Sequence, residues 1–258
     1  MSRTVFFCAL FVSLLMSLEI GSRIGRLRRR RLDGATDEGA NLVVGSILGL
    51  LAFVLALNLS NASSRYDRRM SATLDEVNAV GTALMQATAV GGGNAEAMVA
   101  ELRKYLQVRR AYIEIARDPA ALERVYNDTS ALQNVIWALL SERISAEPTP
   151  AVTSLMNAIN NAFDASTAMR LAMEYRMPEQ LILLLRVMSL LGVAAVGYQF
   201  GLGERKGRIP GIVLSALWCI VVTEIIDIGS ARMWTLRTDT RVYDWTIETF
   251  EGLPEASG

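Results

Sequence analysis

The 258-residue chain has no histidine, two cysteines and six prolines. Without histidine there is no imidazole base, no imidazole metal ligand and no Ser-His-Asp or Cys-His couple. Cys8 and Cys219 allow one disulfide at most and cannot build a four-cysteine zinc site. Net charge is also missing: 26 basic residues balance 26 acidic ones. Such a chain has no global attraction to nucleic acid. Lysine is nearly absent, only Lys104 and Lys206, and the arginine bias points to a high-GC bacterium. No Gly-rich phosphate loop and no H-E-x-x-H motif is present. These absences argue against an enzyme, and no cofactor or metal is expected.

What the chain does have is apolar residues, 52% of the total, gathered in four runs. They are Thr4–Ile20, Ala40–Ser60, Leu181–Leu202 and Ile209–Ile228. A bilayer core of ~30 Å needs about 20 helical residues, and each run fits. The first run could be a signal peptide, but it ends in Glu19-Ile20 and a series of arginines rather than small residues. It is therefore expected to span. The loop after it carries Arg23, Arg26 and Arg28–Arg31 against Asp33, Asp37 and Glu38. The loop between the last two runs carries Arg205, Lys206 and Arg208 against Glu204. By the positive-inside rule both loops are cytoplasmic, and the middle segment lies on the extracytoplasmic side. The bland reading of these arginines is contact with lipid head groups.

Between the runs, residues 61–178 are polar and helical in pattern. Gly91-Gly92-Gly93-Asn94, Asp118-Pro119, Pro148-Thr149-Pro150 and Pro178 punctuate them. Four helices are expected, about 62–90, 94–117, 119–146 and 150–177. Each is roughly 40 Å long at 1.5 Å per residue. Leu132, Val135, Ile136, Leu139 and Leu140 recur at helical spacing, as do Leu102, Tyr105, Leu106, Tyr112 and Ile113. The fold class is therefore an all-α integral membrane protein. Two N-terminal and two C-terminal transmembrane helices flank a four-helix soluble bundle. The expected boundaries are 1–60 for the first hairpin, 61–178 for the bundle, 179–228 for the second hairpin and 229–258 for a tail. No helix breaker falls between Ser60 and Met85, which predicts one continuous helix there.

Two motifs in the middle of the chain carry a resemblance. Ser64-Arg65-Tyr66-Asp67-Arg68-Arg69 precedes Asp75-Glu76-Val77-Asn78-Ala79-Val80-Gly81-Thr82-Ala83. Together they resemble the signature of the bacterial bestrophin-like domain family, domain of unknown function 4239. Gly45 and Gly49, the arginine-rich first loop and the hairpin opened by Arg176-Met177-Pro178 are also similar, so the resemblance covers roughly residues 5–228. Members often carry Asp-x-x-Arg-Pro after the last helix, whereas here Asp227 is followed by Ile228-Gly229-Ser230. The family name points to bestrophins, oligomeric anion channels with two spanning helices, a helical region and two more. The resemblance thus implies a homo-oligomer in a bacterial inner membrane, with a small anion as its ligand. It also implies a cytoplasmic helical region, where the loop charges imply an extracytoplasmic one.

Arg186, Glu224 and Asp227 are ionisable groups within apolar runs, which usually face a partner or a water path. Counted from one membrane face, Arg186 lies ~8 Å deep and Glu224 ~6 Å. An Arg186–Glu224 pair locking the hairpin, snorkelling and an ion pathway are the three readings. Asn78 and Gly81, with Glu76 and Thr82, sit mid-helix, where Asn and Gly are poor choices. They suggest close packing and a buried hydrogen bond from Asn78, or ligand recognition. Arg65, Tyr66, Asp67 and Arg69 complete the signature. Gly45-x-x-x-Gly49 predicts a helix-packing face. Asn160, Asn161, Asp164 and Arg170 form a polar stripe expected to be solvated. The competing functions are an oligomeric channel or transporter, and a membrane-anchored sensor or scaffold that binds a protein partner through the bundle.

Overall fold

Two helices with long apolar runs are followed by three polar ones, two more apolar ones and a short amphipathic one, and breakers set the boundaries of the middle three. The computed structural model describes residues 2–31, 38–115, 118–175, 177–203, 208–231 and 238–251. The helices are α1 (Arg3–Arg31), α2 (Glu38–Val90), α3 (Ala95–Glu114), α4 (Pro119–Ala146), α5 (Pro150–Glu174), α6 (Glu179–Leu202), α7 (Arg208–Ile228) and α8 (Arg241–Glu251). No strand occurs among the described residues. The 53 residues of α2 contain no proline, and the helix is continuous as expected. It ends where Gly91 and Gly92 take φ values of 55° and 77°, the left-handed region that favours glycine. Asp118 then caps α4 by accepting from the Ala120 amide, with Pro119 in the first turn. Thr149 and Pro150 start α5 in the same way.

Among the described residues four stretches are long and apolar enough to cross a membrane by length and composition: Arg3–Arg31, Leu42–Val90, one within Pro150–Leu202, where α6 supplies the apolar run, and Ile209–Ile228. The chain divides into two compact units. The first combines residues 1–65 with 176–230, and the second combines 66–175 with 231–258.

In the first unit α1 and α6 run parallel with their backbones in contact. A Cβ on Gly21 would overlap the Ala194 carbonyl, and one on Gly25 the Tyr198 carbonyl. From the other side, Gly197 faces the Leu18 carbonyl and Gly201 the Ser22 carbonyl. In lipid no hydrophobic force draws helices together, so close approach through small residues does that work. Ser17 adds a hydrogen bond to the Leu190 carbonyl (2.6 Å). α7 runs antiparallel to both. The Trp218 indole donates to the Ser189 hydroxyl (3.0 Å), and Leu18 packs beside Gly211. Part of α2 joins this unit through a narrow stripe, Val44, Leu51, Asn58 and Ala62, with Leu51 seated on Gly192. α1 is longer than its apolar run and continues as a helix to Arg31.

The second unit has a side-chain core. Val80, Leu84 and Ala87 of α2 meet Leu102 and Leu106 of α3, Ile136 and Leu140 of α4, and Leu155, Ile159 and Ala162 of α5. Val135 departs from its expected place and lies at the surface. The larger difference is α8. The residues expected to be a tail form a fifth helix of this unit, with Tyr243 and Phe250 in the core. Gly81 is the place α8 crosses: a Cβ there would lie 3.6 Å from Phe250 Cε2 and 3.8 Å from Thr246 Cγ2. Arg110 pairs with Asp244, and Arg103 donates to the Phe250 carbonyl (2.8 Å) at the end of α8.

Candidate functional site

Three groups of residues carry chemistry beyond packing. The first lies in the first unit, where the start of α1 meets the end of α7. Arg3 Nη2 pairs with Glu224, and Arg3 Nη1 lies 3.3 Å from Asp227. Asp227 is sealed at 2% side-chain exposure, while Glu224 remains 46% exposed. The expected partner was Arg186. Its guanidinium instead rests over the Phe6 ring, 5.2 Å from the centroid. The reason is α1, which packs against both α6 and α7. Its first-turn arginine reaches the carboxylates, and Phe6 occupies Arg186. Nothing in the sequence marks Arg3 as this partner, because a basic residue near a chain start is common.

The second group is the outward face of α2. Gly45, Ser46, Gly49, Ala52, Ala56 and Ser60 are exposed. Positions 45, 49, 52, 56 and 60 share one helix face. Among the described residues a Cβ on Gly45 or Gly49 would meet nothing within 4 Å, so none of them uses the expected packing face. This helix therefore shows small and hydroxyl-bearing groups where α1 and α6 bury theirs.

The third group is a sealed ion pair in the second unit. Glu76 of α2 accepts from both Arg109 Nε and Nη2 of α3, with side-chain exposures of 0% and 2%. Arg109 also donates to the Ser166 carbonyl (3.3 Å) and lies 4.6 Å from the Tyr112 ring centroid. Burial works against the Arg109 cation, but the Glu76 carboxylate outweighs it and raises the pKa. Burial, with Glu76 close by, likewise pushes the Tyr243 phenol of α8 well above its ordinary range. Gln133 bridges the Tyr105 hydroxyl (3.2 Å) and Ser166 Oγ (3.4 Å). Five helices thus converge on one charged pair. The sequence reading passes over Arg109, although a signal is there: it falls in register with Tyr105 and Tyr112 on the buried stripe of α3, and a charge there requires a partner.

The signature residues divide around this pair. Arg69 is buried, with its guanidinium 5.7 Å from the Tyr66 centroid. Arg65 and Tyr66 are half-buried, and Asp67 is exposed. Asn78 does not make the expected buried contact and is exposed. Its carbonyl accepts from the Thr82 hydroxyl (2.9 Å). Glu76, two residues earlier, points inward in its place. Thr82 and Gln86 of α2, with Ser154, Asn157 and Asn161 of α5, line an uncharged groove of about 260 Å³. Of the rest of the polar stripe, Asn160 is half-buried and Asp164 exposed, and Arg170 stacks 3.8 Å from the Tyr126 centroid. Among the described residues no group of three Cys, Asp and Glu side chains is placed to hold a metal.

No protein-family model and no curated protein matches the sequence. Solved structures do match. Two point variants of a bacterial bestrophin homologue from Klebsiella pneumoniae superpose with TM-scores of 0.65 and 0.67, each at 14% identity. The first alignment covers 95% of this chain and 99% of that one, and the second covers 95% of each. Another structure of the homologue aligns at TM-score 0.62 and 17% identity, over 92% of this chain and 95% of that one. At this identity the likeness is one of fold. The chain is a helical membrane protein with a bestrophin-like fold.

Proposed function

We propose that the chain is a subunit of a homo-oligomeric anion channel in a bacterial cytoplasmic membrane, of the bestrophin-like family that its signature resembles. The observation that carries this reading is the outward face of α2. Exposed glycine, alanine and serine within an apolar helix leave room for a water-filled path but cannot enclose one alone. Four spanning helices with few polar residues need further copies to form a pore. In this reading α1 and α2 are the first spanning hairpin and α6 and α7 the second. The second unit is then the extramembrane bundle, on the extracytoplasmic side by the loop charges.

Arg186 is the exposed cation that attracts the anion, and the Arg3–Glu224–Asp227 cluster is the lock that holds α1 to α7. The enzyme reading stays disfavoured on the sequence alone, which has no histidine, no Gly-rich phosphate loop and no H-E-x-x-H motif. The experiment is anion flux from vesicles reconstituted with the purified chain. Flux is expected with wild type and reduced severalfold with Arg186→Ala. Gly49→Leu is expected to abolish it without unfolding the subunit. An Arg186→Ala variant with unchanged flux would remove that residue from the path, and a monomeric, non-conducting wild type would end the channel reading. Protease accessibility of a tag placed after Gly258 settles the side of the bundle.

A further inference from the structure

α1 outlasts the apolar run from which it grows. Thr4–Ile20 spans ~25 Å, and the helix then continues for about 16 Å to Arg31. The continuation has two faces. Gly21 and Gly25 are buried against α6. Turned away from them, Met16, Ile20, Ile24 and Leu27 are each more than half exposed. Their spacing of four, four and three residues makes one line along the helix, and Arg31 lies four residues further on the same line. Arg30 stands beside it. Both arginines are exposed, and among the described residues neither forms an ion pair. Glu19 neutralises Arg23 and Arg26 one and two turns back (both 3.0 Å), and Arg29 donates to the Gly203 carbonyl (3.3 Å). Among the described residues, Arg30 and Arg31 are therefore the cations left for a ligand at the tip.

From these features we infer that the α1 extension holds an anionic phospholipid. The acyl chain lies along Met16–Ile20–Ile24–Leu27, and the phosphate is held by Arg30 and Arg31. The dimensions agree. The line from Met16 to Leu27 is ~17 Å long, close to one leaflet of a ~30 Å core. A guanidinium presents paired N–H donors that match phosphate oxygens, and two adjacent ones favour a net-negative headgroup over a zwitterionic one. The rigid backing of α6 keeps the arginines in place, because backbone contact at Gly25 and Gly201 leaves α1 no freedom to bend there. The inference depends on the membrane reading and is independent of conduction.

The test is a titration of the purified full-length chain, in mild detergent, with fluorescent phosphatidylglycerol and with phosphatidylcholine of the same acyl chain. Wild type is expected to bind phosphatidylglycerol at least tenfold more tightly. Basic residues at a membrane surface each contribute about fivefold. The Arg30→Gln/Arg31→Gln double variant should therefore lose about 25-fold for phosphatidylglycerol and nothing for phosphatidylcholine. Arg30→Lys/Arg31→Lys, which keeps the charge, should retain most of the affinity. Ile24→Ser/Leu27→Ser should weaken both lipids. Equal binding of the two lipids, or unchanged phosphatidylglycerol affinity in the glutamine variant, overturns the inference. Displacement by millimolar inorganic phosphate, together with indifference to Ile24→Ser/Leu27→Ser, would mark a free-phosphate site and also overturn it. Size-exclusion profile and helicity check that each variant is folded, and anion flux is measured separately so that the two readings fail independently.

Discussion

α1 and α6 meet through glycine, whereas α2 and α3 meet through Glu76 and Arg109. The first contact has no side chain at its centre. The second has two charged side chains, both nearly sealed. In the membrane reading proposed above, the difference follows the solvent each unit faces. Where lipid surrounds a helix, burying leucine gains little, so Leu27, Leu50, Phe53 and Leu183 point outward and close backbone approach holds the pair. Where water surrounds it, apolar burial drives packing, and Tyr105, Leu106, Ile136 and Leu155 go inside. That interior also supplies the hydrogen-bond partners that seal both members of Glu76–Arg109, whereas in the Arg3 cluster of the first unit Arg3 and Glu224 stay partly exposed.

The sharpest way to break the comparison is to give the glycine contact a side chain. Gly21→Leu places atoms where the Ala194 carbonyl already lies, and no rotamer avoids the backbone. The expected result is loss of the folded subunit, beyond about 4–5 kcal/mol, read as aggregation on detergent extraction. Gly45→Leu, with open space around it, should leave extraction and helicity unchanged. In the second unit, Arg109→Met strands Glu76 without a partner and should cost about 3–5 kcal/mol in denaturant unfolding. The double variant Glu76→Leu/Arg109→Met should recover most of that loss, since a sealed pair can be replaced by apolar groups of similar volume. If the double variant were as unstable as the single one, the pair would be holding the five helices by more than mutual compensation.

Much of this was readable before any coordinates. The boundaries of α3, α4 and α5 follow from Gly91-Gly92, Pro119 and Pro150, and the apolar lengths of α1, α2, α6 and α7 are plain. The failures come from reading residue type without helix phase. Asn78 seemed a buried donor because asparagine is a poor helix former. The stripe Thr73, Glu76, Val77 and Val80 puts position 76 inside and 78 outside. Gly45-x-x-x-Gly49 predicts a packing face that no described residue occupies, whereas Gly21/Gly25 and Gly197/Gly201, with the same spacing, meet each other's helices. Spacing says which residues share a face, and only a partner helix says which face is used. Arg3 was missed because its carboxylate partners are more than 220 positions away.

α8 gives a smaller lever on the same contrast, since it is side-chain packing at its most local. Its inward residues Tyr243, Ile247 and Phe250 follow the helical repeat, and the short length of the segment concealed them within an acidic stretch. Phe250→Ala empties the space beside Gly81 and Leu106 and should cost about 3 kcal/mol, measured by denaturant unfolding of the full chain. The loss should fall on the second unit alone.

The weakest expected effect concerns pH at the entrance to α8. Asp239 accepts from the Arg241 guanidinium (2.6 Å) and from the Arg241 amide (2.9 Å). The guanidinium first, and the amide after it, hold this carboxyl below its ordinary value. A depressed carboxyl stabilises the fold fully above its unfolded pKa, near 3.9, and the contribution disappears as pH falls through the lower folded value. Acidification from pH 5 to 3 should therefore loosen α8 slightly, seen as faster amide exchange across Arg241–Glu251 after correction for intrinsic rates. Asp239→Asn keeps an acceptor for the amide and loses the charge. It should show at pH 5 exchange at least as fast as wild type shows at pH 3, with little further change between them. An equally steep response in Asp239→Asn would assign the acid sensitivity of α8 to another carboxylate, and Asp244, paired with Arg110, is the next one to remove.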